Sequence, residues 1–444
     1  MVLLGGELGR ECWWYAPAQV CQRWGYLILG SASHLGLHLL YTYGTPVADM
    51  LVHSPPFPLI IDLPGVHSGI DGHDITTEDE ERIVLALQHR ERVHRIRVDM
   101  PAPNLQRLIL AIDDEFPILE YLVLVSPDKH PIGLVLPETF RAPNLRHLLL
   151  LNFAFSIGSP LLTTGVGLVM LFLDYIYPSA YFRPNYLLQR LALMPHLEIL
   201  GISFHSPVPN CEVRRQLLCT PVMAHVALPN LRWFAFRGVS TYLEALLPQM
   251  TTPLLEKLQI IFFNQLTLSI PRLLEFMNTT ANLRFSSAEV IFDDEAFHVR
   301  LYPREGAALD ASFIRVGCTS FEWQVASAVQ ISDQLRTALS AVVNLTFKYG
   351  KDPILPESNN NEGDHTRWRE ILSSFNNVKT LRVPNGLVKD LSRSLEFDEG
   401  ESPVELLPEL RELEYTTTDD AGDAFTGFMN ARQNAGRPVT PLRR

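Results

Sequence analysis

Three stretches of this 444-residue chain gather side chains of the kind that hold a divalent ion. Asp113-Asp114-Glu115 and Asp293-Asp294-Glu295 supply hard oxygen ligands, and Asp71-Gly72-His73-Asp74 mixes carboxylates with an imidazole. Each acidic run sits just after or between apolar residues, which is where charged turns keep sheet edges solvated. The Asp71 run is a loop set by Ser68, Gly69 and Gly72, with no companion ligands converging on it in sequence. No metal site is expected from any of them. Phosphate-binding glycine loops, nucleophile elbows and H-E-x-x-H phrases do not occur. His147 and His205 fall near strands without a nucleophile at readable spacing, so no catalysis and no cofactor are expected. Cys12, Cys21, Cys211, Cys219 and Cys318 are scattered and odd in number, which reads as reduced thiols without zinc spacing.

What remains is recognition chemistry. Aromatic and arginine side chains dominate binding hot spots, and the elements that position them here are repeated phrases. "APNLQRLIL" from Ala102, "FPILEYLVLV" from Phe116, "APNLRHLLLLN" from Ala142 and "MPHLEILGISF" from Met194 share one rhythm. So do "LPNLRWFAFRG" from Leu228, "TPLLEKLQIIF" from Thr252 and "LPELRELEYT" from Leu407, while "FNNVKTLRVP" from Phe375 keeps it without proline. Proline cannot donate to a sheet ladder, so it marks a strand's beginning, and the apolar residues after it line one side. One unit cannot bury that side alone; stacked units can. Leu105, Leu108 and Leu110, Leu145, Leu148 and Leu150, and Leu231, Phe234 and Phe236 are the expected inward set. The intervening Arg107, Ile109, Tyr121, His147, Leu149, Trp233, Arg237, Lys257, Gln259, Thr380, Arg382, Glu412 and Glu414 would line a concave sheet. Arg107, Tyr121, His147, Trp233, Arg237, Lys257 and Arg382 are its binding candidates.

Helix signals lie between the phrases: "TTEDEERIVLALQHRERV" with a Thr77 to Glu80 capping box, "STYLEALLPQM", "IPRLLEFMN" and, longest, "FEWQVASAVQISDQLRTALSAVV". A buried helix is expected from Leu162 to Tyr175, and a loop at Pro356–Thr366. From His147 to Leu173 there is no Asp, Glu, Lys or Arg, yet Asn152, Gly158, Pro160, Gly165 and Gly167 interrupt the run, so no membrane span is expected. The alternation implies an α/β fold.

The phrase resembles the L-x-x-L-x-L core of leucine-rich repeats. The asparagine or cysteine that follows in that family would fall at Asp113, Pro127, Phe153 and His205, and the spacing is uneven. An irregular leucine-rich-repeat-like solenoid, a horseshoe with long insertions, is therefore expected over 56–420. A helical segment over 1–55 precedes it, and a C-terminal helix with a basic tail over 421–444 follows. "VCQRWGYLILGSASHLGLHLL" from Val20 resembles the second half of an F-box. The remainder resembles F-box-like leucine-rich-repeat proteins of mushroom-forming fungi, notably at "TPVADMLVHSPPFPLIID" and "ARQNAGRPVTPLRR". The L-P-x-E phrase that opens an F-box is replaced by "MVLLGGELGRECWWYAPAQ". The resemblance implies a non-enzymatic substrate receptor that docks a Skp-family adaptor and cullin through Val20, Cys21, Trp24 and Leu27 and holds a protein target on its repeats. The alternative is a repeat scaffold that has lost adaptor docking. The N-terminus lacks the apolar core of a signal peptide, which implies intracellular, cytoplasmic or nuclear residence. A net charge of -12 disfavours nucleic acid and anionic lipid as partners.

Overall fold

The computed structural model describes residues 15–31, 35, 37–53, 56–63, 76–128, 133–207, 225–264, 268–303, 311–350, 362–396, 406–415 and 424–443. The Asp71–Asp74 stretch, Cys12, Cys211 and Cys219 lie outside them. The chain divides into two compact units, Met1–His205 and Ser206–Arg444.

In the first unit the strands β1 (Leu39–Tyr41), β2 (Leu59–Leu63), β3 (Val93–Asp99), β4 (Tyr121–Val125), β5 (His147–Leu151), β6 (Met170–Ile176) and β7 (Ile199–Phe204) pair in chain order, all parallel. Helices Val47–His53, Thr77–Leu87, Ala102–Ala111, Pro160–Thr164 and Pro184–Leu191 supply most of the crossovers. Parallel neighbours need such returns, and returns of one hand stack on one face of the sheet. Burial follows: Leu122, Leu124, Leu148, Leu150, Leu171 and Leu173 are sealed on one side, as are Leu105, Leu108, Leu187 and Leu188 of the helices. Each such side chain contributes roughly 1.5–3 kcal/mol by leaving water.

The second unit holds β8 (Val226–Ala227), β9 (Trp233–Gly238), β10 (Met250–Thr251), β11 (Lys257–Phe262), β12 (Ser287–Phe292), β13 (Ala296–Tyr302), β14 (Ser312–Gly317), β15 (Asn344–Tyr349), β16 (Thr380–Val383), β17 (Glu412–Tyr415) and β18 (Thr440–Arg443). Its main sheet runs β9-β11-β14-β13-β12-β15-β16-β17-β18, with β8 and β10 forming a separate parallel pair. Pairing is parallel except at β12-β13-β14, an antiparallel meander set into the sheet. Alternating Val, Ile and Phe flank Asp293-Asp294-Glu295, and Asp293 Oδ1 accepts from the Glu295 and Ala296 amides at 2.9 and 2.7 Å. That acidic run is therefore a hairpin turn.

The proline phrases share one local geometry. The residue before the proline accepts a hydrogen bond from the leucine three positions on: Phe116 from Leu119, Ala142 from Leu145, Met194 from Leu197, Leu228 from Leu231, Thr252 from Leu255 and Leu407 from Leu410, at 3.0–3.3 Å. Proline sits at the second position of a β-turn, where its fixed φ is an advantage. The next two amides then donate to a single carbonyl of the preceding unit, as Arg146 and His147 do to Glu120 O, and Glu256 and Lys257 to Arg232 O. The asparagine of the P-N-L phrase adds a bond outward, with Asn144 Nδ2 donating to Pro117 O at 2.6 Å.

Several expectations are corrected. "APNLQRLIL" is the helix Ala102–Ala111, not a strand. Leu105, Leu108, Ile109 and Ile112 follow i, i+3, i+4, i+7 and are all buried, whereas Leu110 is 68% exposed. Pro103 lies in the first turn, where a missing amide costs nothing. The expected helix from Leu162 to Tyr175 ends at Thr164, and Met170–Ile176 is strand β6. Gly165 and Gly167 break the helix, and Leu168, Leu171 and Leu173 repeat L-x-x-L-x-L without a proline. The capping box is Thr76 with Asp79, one residue earlier than Thr77 with Glu80. The expected loop at Pro356–Thr366 gives way at Glu362 to a helix reaching Leu372; residues 356–361 are outside those described. The segment after helix Thr426–Asn434 adds the strand β18 beside β17.

Candidate functional site

Asn152 answers for the end of the "HLLLLN" strand. Its φ is 65°, and its buried side chain donates from Nδ2 to Ser126 O at 2.6 Å. Asparagine tolerates left-handed backbone and can bond backbone groups in turns, so Asn152 does here what the expected position, Phe153, cannot. Phe153 is simply buried apolar core.

Among the described residues the crossover helices lie on one face of each unit's sheet, and the opposite, helix-free face of the first unit is built by register. Arg95, Tyr121, His147, Met170 and Ile199 form one row across β3 to β7, and Arg97, Val123, Leu149, Phe172 and Gly201 form the next. The Arg95 guanidinium lies 4.1 Å over the Tyr121 ring, and the Tyr121 and His147 rings are 5.4 Å apart, so three side chains stack across three strands. Burial, then the charges of Arg146 and Arg95, lower the pKa of His147 from the ordinary imidazole value. Beside the stack, Val123, Val125 and Leu149 are buried and pack with Tyr121, Leu151, Met170 and Phe172. Gly201 makes room for this: a Cβ there would meet the Phe172 ring at 2.3 Å. Asp62 borders the patch, 3.8 Å from Arg97, and burial raises its pKa against the opposing pull of Arg97 and Arg95.

On the corresponding face of the second unit, Trp233 pairs in register with Lys257, whose Nζ is 4.7 Å over the indole. Arg237, Ile261, Arg315, His298, Ile291 and Lys348 form one row. The Arg237 guanidinium is 5.4 Å from the centre of the Phe263 ring. Glu289 accepts from Lys348 at 2.5 Å and from the Tyr302 hydroxyl at 2.7 Å. Those bonds and the Lys348 charge overcome burial and keep its carboxyl below its ordinary pKa. His298 Nε2 lies 2.6 Å from Asp293 Oδ2; burial lowers the imidazole pKa and Asp293 opposes that. Arg382 is paired with Glu414 at 2.9 Å, and Thr380 Oγ1 lies 3.3 Å from Glu412. Gln259 and Leu149 also face outward.

Tyr121, His147, Trp233, Arg237, Lys257 and Arg382 thus all stand on helix-free sheet faces. Arg107 does not: it is on the helix Ala102–Ala111, paired with Glu80 at 2.5 Å, and Ile109 is buried behind the sheet. The sequence reading missed Arg95, Arg97 and Asp62 because β2 and β3 lack the proline phrase. It missed Met170 and Phe172 because their strand reads as helix, although the L-x-x-L-x-L spacing at Leu168 was available. Arg300 and Arg315 lie in the meander, outside any repeat.

A third surface lies near the N-terminus. Helix Gln22–Gly30 starts after Cys21, which caps it in extended geometry, and buries Ile28 alone. Val20, Trp24 and Leu27 are 68%, 53% and 61% exposed, Cys21 is exposed, and Tyr26 stands beside them.

Asp113 and Asp114 are bound to Arg90, and Glu115 forms a backbone bridge to Arg141. Among the described residues no three His, Cys, Asp or Glu side chains come together as metal ligands, and no helix is long and apolar enough to cross a membrane. No protein-family model matches the chain, and no curated protein matches it.

Proposed function

We propose that this chain is an F-box-type substrate receptor of a cullin-based ubiquitin ligase: an irregular leucine-rich-repeat solenoid that holds a protein target, with an F-box remnant that meets a Skp-family adaptor inside the cell. The supporting observation is the exposure of Val20, Trp24 and Leu27. Trp24 and Leu27, three residues apart, share a side of the helix Gln22–Gly30, whereas Val20 ends the preceding helix Tyr15–Val20 and Cys21 between them is extended, so the expected single helical face is broken there. If Trp24 and Leu27 served only to staple their helix to the first repeat they would be covered. Uncovered large apolar groups in a cluster favour a partner surface. The half-buried Tyr121, Met170 and Phe172, packed on the buried Val123, Val125 and Leu149, offer a second, partly exposed apolar surface for a target. The ubiquitin chemistry belongs to partner subunits.

The test is titration of purified adaptor against the full chain and against Trp24→Ala. A tryptophan at the centre of such a contact is worth about 2 kcal/mol or more, so the variant should bind at least ~30-fold more weakly. Equal binding by both forms would remove Trp24 from the contact. Absence of binding by either would leave the other reading, a repeat scaffold that takes protein partners without ligase function.

A further inference from the structure

The helix-free face of the second unit carries a charge pattern opposite to that of the chain. The outward positions of β9, β11 and β14 read Trp233, Ala235, Arg237; Lys257, Gln259, Ile261; and Phe313, Arg315, Gly317. They include three cations and no carboxylate, in a chain of net charge -12. The carboxylates of the adjoining meander are engaged: Glu289 with Lys348 and Tyr302, and Asp293 with His298. Glu295 reaches Arg315 at 3.4 Å but is 81% exposed, and such a solvent-exposed pair exchanges readily for another anion.

We infer that this strip binds an extended acidic peptide segment of the target. The inference rests on the recognition reading above and names the chemistry of what is recognised. Arg237 and Arg315 share a register row two strands apart, so their backbones are separated by two sheet spacings, about 9.6 Å. A polyproline-type segment returns a side chain to the same face every third residue, about 9.3 Å on. Glutamates at i and i+3 of a segment crossing the strands therefore meet both guanidinium groups over the Ile261 floor, with Phe313, the adjacent outward position of β14, as a flat wall of the kind such segments pack on. A long polyanion is disfavoured, because beyond about one Debye length it meets the negative charge of the rest of the chain.

The experiment is fluorescence anisotropy of the full chain with labelled (Glu-Pro-Pro)4 and (Gln-Pro-Pro)4 peptides, in wild type, Arg237→Glu/Arg315→Glu and Arg237→Ala/Arg315→Ala. Circular dichroism confirms that each variant is folded, and the alanine pair serves if charge reversal disturbs the sheet. The glutamate peptide should bind at least tenfold more tightly than the glutamine peptide, and both double variants should lose that difference. No binding of the glutamate peptide, or binding indifferent to the two arginines, would overturn the assignment, as would tighter binding of a single-stranded oligonucleotide of equal charge. Adaptor titration on the same preparations reports separately on the Trp24 helix, so failure of the strip and failure of the ligase reading are told apart.

Discussion

Replacing Asn152 separates two contributions that the geometry joins. Asn152→Ala removes the side-chain donor to Ser126 O and leaves that carbonyl, in a residue wholly buried, without its 2.6 Å partner. Stranding a buried acceptor costs about 1–3 kcal/mol. The alanine must also keep φ near 65°, which costs an L-residue a further ~1–2 kcal/mol. The expected total is about 2–5 kcal/mol. Asn152→Gly loses the hydrogen bond but not the backbone fit, so it should be milder than alanine by about 1 kcal/mol, less the entropy glycine adds to the unfolded chain. In a unit of this size each kcal/mol moves the melting temperature by roughly 2–4 °C. Urea and thermal unfolding followed by circular dichroism, with amide exchange at Ser126 and Leu151 to localise the loss, read both variants. A loss below about 0.5 kcal/mol for alanine, or glycine clearly worse than alanine, would refute this account of the left-handed asparagine.

Two further outcomes follow from burial. Leu108→Ala should cost about 2–5 kcal/mol and Leu110→Ala less than about 0.5, because only the first is buried in the helix Ala102–Ala111; equal losses by urea denaturation would argue for the strand instead. Burial raises the folded-state pKa of Asp62, so in the window between its ordinary and raised values the folded chain binds the extra proton. Stability contributed by this group is then present at low pH and lost as pH rises through that window. Asp62→Asn should therefore gain on wild type as pH climbs from the usual carboxylate range; a gain that grows on acidification would contradict the desolvation argument.

The proline-leucine phrases were legible because they are local. A β-turn with proline at its second position and alternating apolar residues beyond it depend on neighbours in the chain, and Leu145, Leu197, Leu231, Leu255 and Leu410 take the places that the phrase implies. The outward placement of Tyr121, His147, Trp233, Arg237, Lys257 and Arg382 was legible for the same reason, since alternation puts them opposite the leucines. "APNLQRLIL" shows the limit. Its leucines satisfy both L-x-x-L-x-L and the i, i+3, i+4, i+7 stripe, and the choice falls to helix because β3 and β4 occupy adjacent sheet positions and need a crossover between them. Met170–Ile176 was decided the other way, by the ladder β5 and β7 offer on either side. The stack of Arg95 on Tyr121 and His147, and the row that aligns Arg237 with Arg315, exist only in register between strands far apart in sequence. Side-chain type and alternation are written along the chain, whereas which residues become neighbours is set by hydrogen-bond ladders that form only when the whole sheet assembles.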